Sequence, residues 1–289
     1  MLSAGCYQRH LTRRKGIALA FSALWARRAH ARTPNVAEIA RAIPPRPANA
    51  LRGSQFADLA SSMDRHQRER AIQDQLAQGN LPDFLRTLVP VNLRSNKGLA
   101  TIFVMPEYVA IGSDSDFLRI PMNLHTAVGV ANRFGFLLPT RKIVDAIYAQ
   151  STSRCTPQPL PAGPEMSSTH YYATHNSMID AQLKARGFSS SALIAGHKKD
   201  VVLSNRLVRI PGRIAIYGWH RAPGMPIQPL STVHGSDYAD YSHGIRLIAS
   251  IALVDGKMQS IQDILRDPAR AAALSDEGAI PVSSVLARA

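Results

Sequence analysis

Gly218 to Arg246 (GWHRAPGMPIQPLSTVHGSDYADYSHGIR) gathers His220, His234, His243, Asp237 and Asp240 between two apolar runs. Histidine titrates near neutrality and is the commonest metal ligand, so three histidines with two acids suit general-base or metal chemistry. A segment this polar and this punctuated by Gly and Pro reads as loop, where catalytic and binding groups concentrate. Six of the ten histidines (His170, His175, His197, His220, His234, His243) fall in one stretch of the chain.

Three uses of these residues follow from their types. In the first, His234 and His243 act as bases, Asp240 orients them, and a hydroxyl such as Ser242, Ser231 or Ser236 is activated as nucleophile. In the second, His197, Asp200, His220 and Asp237 hold a divalent metal such as zinc with a position open for water. No helical pair of histidines around a glutamate and no G-x-S-x-G elbow is present. In the third, the tyrosines and histidines serve only to bond a long loop. Gly196 to Asp200 (GHKKD) has the same character and is expected to be the partner of the later loop. Lys198 and Arg246 would receive an anionic substrate group, and Trp219, Tyr238 and Tyr241 would offer stacking surfaces. Each of His234 and His243 precedes a glycine, which permits a close backbone approach. Asp114-Ser115-Asp116 could bind a cation only with further loop ligands. Cys155 is a loop or packing cysteine unless a histidine approaches it.

Ser242-His243-Gly244-Ile245-Arg246-Leu247 resembles the Ser-His-Gly-Cys-(apolar)-Arg box of L,D-transpeptidases, which cross-link peptidoglycan with a cysteine nucleophile. The cysteine of that box has no counterpart here. The resemblance therefore implies a histidine-bearing loop leading into a strand and carries no activity across.

The elements that must position these residues read as follows. Residues 54–78 are expected to be helical with Gly79 as the stop, followed by a short helix near 82–88. Leu99 to Ile111 reads as a buried strand or a pair, then helices near 124–134 and 140–148. The proline-rich residues 151–167 mark a long loop or sub-boundary, and His170 to Gly187 a helix closed by glycine. Strands are expected at 193–195, 201–203, 207–210, 213–217 and 244–253, with a helical tail from Ser260. The class is α+β: an N-terminal helical portion, a mainly antiparallel sheet portion and a helical C-terminal tail.

Residues 1–31 carry the pattern of an export signal: Arg13-Arg14-Lys15, an apolar run over 16–26, and Ala29-His30-Ala31 as a small-x-small cleavage box. The paired arginines resemble a twin-arginine signal. The apolar run is too short to span a bilayer, for which about 20 residues are needed. Residues 32–53 are expected to be a Pro/Ala-rich tether and 54–289 a single domain. Seven basic residues and no acid lie in the first 32 positions, so half of the +14 charge falls there. The remaining charge is scattered, which argues against a dedicated nucleic-acid face. Removal of the signal takes Cys6 and leaves one cysteine, so no internal disulfide is expected. The composite expectation is an exported, periplasmic or secreted hydrolase, metal-assisted or using histidine as general base. The competing expectation is a non-catalytic binding protein for an anionic cell-envelope glycan or peptide.

Overall fold

The computed structural model describes residues 35–95, 98–187 and 192–286. The export signal expected over 1–31 lies outside the described residues. Three helices come first: α1 (Val36–Arg41), α2 (Gly53–Ala60) and α3 (Arg65–Ala77). Strands β1 (Val89–Ser95), β2 (Gly98–Val104), β3 (Ala110–Ser113) and β4 (Asp116–Arg119) follow, then α4 (Leu124–Phe134), β5 (Phe136–Leu137), α5 (Arg141–Gln150), β6 (Ser153–Arg154) and α6 (Thr169–Ala185). The C-terminal part runs β7 (Ile194–Ala195), β8 (Lys199–Val201), α7 (Arg206–Arg209), β9 (Ile216–Ala222), β10 (Met225–Ser231), β11 (His243–Gly244), β12 (Ile248–Val254), β13 (Lys257–Ser260), α8 (Ile261–Arg266) and α9 (Val282–Leu286). The chain is α+β.

Two sheets organise it. One has the order β1-β2-β12-β13, all antiparallel, with β5 also paired to β12. Because β2 and β12 are neighbours, the early and late parts of the chain share one core, in which Ile102, Val104, Ile248 and Ala252 are buried. The other has the order β10-β9-β8-β11, antiparallel except for the parallel β8–β11 pair. Among the described residues no helix is long and apolar enough to cross a membrane.

Local chemistry explains most helix limits. Asn123, Thr140 and Ser168 each accept a backbone N–H at the start of α4, α5 and α6. The helix expected over 54–78 is two helices, because Asp64 and Gln67 form a reciprocal cap that starts α3 anew. The tether expected over 32–53 is, from Asn35 onward, part of the domain. Ile39 and Ile43 are buried, and Arg46 binds Asn80 and the carbonyls of Gly112 and Ala50. The strand expected at 207–210 is the helical turn α7; so short an apolar run has no period to separate helix from strand. β1 and β10 were disguised by Pro90, Pro226 and Pro229, which these strands tolerate because both are sheet edges. Residues 151–167 are mostly loop, interrupted by β6 and by a 3-10 turn at Pro164–Ser167, and the chain on both sides belongs to one compact unit.

Candidate functional site

Strands β8 and β11 bring the two histidine-rich segments together, as the sequence suggested for Gly196–Asp200. His243 is the register partner of Lys199 and Gly244 of Asp200, and the Lys199 amide donates to the Ser242 carbonyl at 2.7 Å. Gly244 is required by packing. A Cβ there would sit 2.6 Å from the Tyr108 ring and 2.9 Å from the Lys198 side chain. The close approach that the His-Gly pair permits is therefore taken by Tyr108.

Asp240 is the hub of the later loop. Its Oδ1 accepts from the Ser242 amide at 2.8 Å and from the Ser242 hydroxyl, and its Oδ2 accepts from the Tyr238 hydroxyl at 3.1 Å. Burial pushes the Asp240 carboxyl up, but His243, the Ser242 bonds and Lys199 pull it below its ordinary value. It is an anion. The Ser242 hydroxyl is committed to Asp240 rather than to a histidine nitrogen.

His243 is fully buried, with Nε2 3.9 Å from Asp240 Oδ2. Neither ring nitrogen has a hydrogen-bond partner among the described residues. Burial pushes its pKa down to about 4 against the pull of Asp240, so the ring is neutral at pH 7. Half-buried His234 stacks on Tyr238 with ring centres 4.2 Å apart, and Tyr238 meets His243 edge-on at 5.7 Å. A ladder of rings thus leads from the surface to His243.

Of the five residues expected to contact substrate, all but half-buried Tyr238 are buried. Arg246 donates to the carbonyls of Met105 (2.9 Å) and Ile194 (2.6 Å) and lies over the Tyr108 ring, so it braces the core. Lys198 donates to the Tyr241 carbonyl at 2.6 Å, beside His175. Trp219 and Tyr241 are 4% and 2% exposed.

The four residues weighed as metal ligands go separate ways. His197 Nε2 donates to Glu107 at 2.7 Å, and the other Glu107 oxygen binds Arg119 at 2.9 Å. His220 bonds Asp145 at 2.8 Å, on the same oxygen that accepts the Tyr217 hydroxyl. Asp200 accepts the Tyr108 hydroxyl at 2.8 Å and is pushed up to about 6 by burial. Asp237 is at the surface, 3.3 Å from His125. Among the described residues no group of three or more His, Cys, Asp or Glu is arranged to hold a metal ion.

Several residues of this region were not singled out from sequence. Glu107 is buried and, although burial pushes it up, His197 and Arg119 hold it well below the usual carboxylate range. Its signal was available: it is the one acid in the apolar run 99–111. Arg119 extends the pair outward to Asp180 at 2.7 Å. Asp145 and His125 gave no signal, because their partners are distant in sequence: Tyr217 and His220 on β9, and Ser236 and Asp237. Asp114 and Asp116 accept backbone N–H groups of Asp83 and Ser54 and so tie the β3–β4 turn to distant parts of the chain. Cys155 is buried, and burial pushes its thiol up to about 12.

Compared with known proteins, the chain matches no family model, no curated protein and no solved structure.

Proposed function

We propose that this protein is an exported hydrolase of the cell envelope or periplasm in which His243 is the general base. The observation that carries the reading is a fully buried, neutral histidine with both ring nitrogens free of partners among the described residues. Leaving a buried polar group unpartnered costs about 1–3 kcal/mol, and such an arrangement persists where the group has another task. His243 accepts the proton of the attacking water, and ionised Asp240, 3.9 Å away, stabilises the imidazolium that results. The substrate is an anionic envelope polymer or peptide, admitted beside His234 and Tyr238.

The non-catalytic alternative needs aromatic stacking surfaces. Trp219 and Tyr241 are buried, and only Tyr238 of the three is half-exposed. Export is part of the proposal and has its own test: replacing Arg13 and Arg14 by Lys stops transport if the signal is of the twin-arginine type, and unchanged export rejects that route.

The enzymatic reading is tested by incubating the purified protein with peptidoglycan sacculi and following soluble fragments by chromatography. Release by the wild type that is lost in a folded His243→Gln variant supports it. Equal release by both, or none from the wild type, overturns it.

A further inference from the structure

Lys198 is a buried amine without a counter-ion. Its Nζ donates to the Tyr241 carbonyl at 2.6 Å and to His175 Nδ1 at 3.4 Å, and no carboxylate forms an ion pair with it among the described residues. Buried Arg119, by contrast, is paired with both Glu107 and Asp180. Burial, with Arg119 nearby, pushes the Lys198 amine down to about 7 against the more distant pull of Asp240 and Glu107. A buried charge of this kind calls for an anion.

Two further donors stand beside it. An ammonium has no acceptor, so at the Lys198–His175 contact the imidazole Nδ1 must accept. The ring proton then sits on Nε2, which is buried and has no partner among the described residues. The indole Nε1 of Trp219 is donor-only, and it too is buried without a partner among those residues. The rings of His175, Trp219 and Tyr241 pack mutually, with centres 5.0 to 6.4 Å apart. Trp219 is held here with φ at 56°, a left-handed conformation that is strained for a bulky residue. Lys199 lies over the same indole at 5.2 Å and adds positive charge. Tyr241 is in turn held by the proline-rich loop: its hydroxyl accepts the Leu160 amide at 2.8 Å, and its amide donates to the Met166 carbonyl at 2.9 Å.

We propose that Lys198, His175 and Trp219 form a receptor for a carboxylate group, which two unsatisfied N–H donors and an amine with no ion-pair partner among the described residues are suited to bind. A carboxylate presents two oxygens with about four lone-pair sites, enough for all three donors, and supplies the missing charge.

The test uses the full chain with Trp25→Phe, so that emission reports Trp219 alone. Sodium acetate is titrated against sodium chloride at constant ionic strength, with sodium phosphate as a second arm. A saturable acetate response, weakened at least tenfold in both Lys198→Met and His175→Phe with far-UV circular dichroism unchanged, is the expected result. An absent or non-saturating response, a response equal in Lys198→Met, or a response to phosphate alone overturns the proposal. A site that holds only water gives no response and belongs to the second group. The titration reads binding without turnover, so its outcome is separate from that of the sacculus assay.

Discussion

His243 and Lys199 are register partners across the parallel pairing of β11 with β8, so two segments far apart in the chain present their reactive side chains from adjacent strands. Asp240 locks this junction from below by holding both the amide and the hydroxyl of Ser242, whose carbonyl receives the Lys199 amide. Asp240→Ala leaves two buried donors and the half-buried Tyr238 hydroxyl without an acceptor and is expected to cost about 3 kcal/mol of stability. Ser242→Ala removes one bond and is expected to cost about 1 kcal/mol. Urea unfolding of the two variants checks the order; equal losses would contradict the role of Asp240 as hub.

Lys198 should behave in the opposite way. Its amine is pushed down to about 7 from an ordinary 10.5, so the unfolded chain binds the extra proton between these values. The wild type therefore loses stability as pH falls from about 10 toward 7, and the full penalty is present below 7. Lys198→Met removes that penalty together with one hydrogen bond. Its melting temperature is expected to exceed that of the wild type, by more at pH 6 than at pH 9. A variant destabilised at both pH values would show that the amine is structural.

Acid sensitivity has a named source. His243 is pushed from an ordinary 6.5 down to about 4, so the unfolded state binds more protons in this window. Its contribution is complete above 6.5 and is lost as pH falls to 4, amounting to about 3 kcal/mol. Burial holds His175 and His197 below their ordinary values too, which adds to the same trend. Asp200, raised to about 6, opposes it, since its buried carboxyl is favoured by protonation. Urea midpoints of the wild type and His243→Leu, taken between pH 7 and 4, should show the shallower dependence in the variant. Parallel curves would remove His243 as a source.

Glu107 carries two partners, Arg119 and His197, inside the core. Glu107→Gln breaks a buried ion pair and is expected to cost about 3–5 kcal/mol. Adding Arg119→Met should recover part of this by removing the stranded cation. A double-mutant cycle with additive losses would mean that the pair is not coupled.

The sequence and the structure agree where a signal was local. The limits of α4 and α6 follow from capping residues and a terminal glycine, and the partnership of 196–200 with the later loop followed from shared composition. What escaped was set by tertiary pairing. Edge strands β1 and β10 contain prolines that erase the strand pattern. The carboxylates that bond His197 and His220 lie 90 and 75 positions away, so no spacing rule reaches them. Burial was the hardest property to read. Lys198, Arg246 and Trp219 have the side chains of a binding surface, yet backbone carbonyls and stacked rings enclose them in the core.

The pH dependence of sacculus hydrolysis tests the central claim most directly. If neutral His243 is the base, the rate falls on the acid side with an apparent pKa near 4, and the limb disappears with the activity in His243→Gln. An acid limb near 6.5 that survives in His243→Gln would assign the base to another histidine and contradict the account.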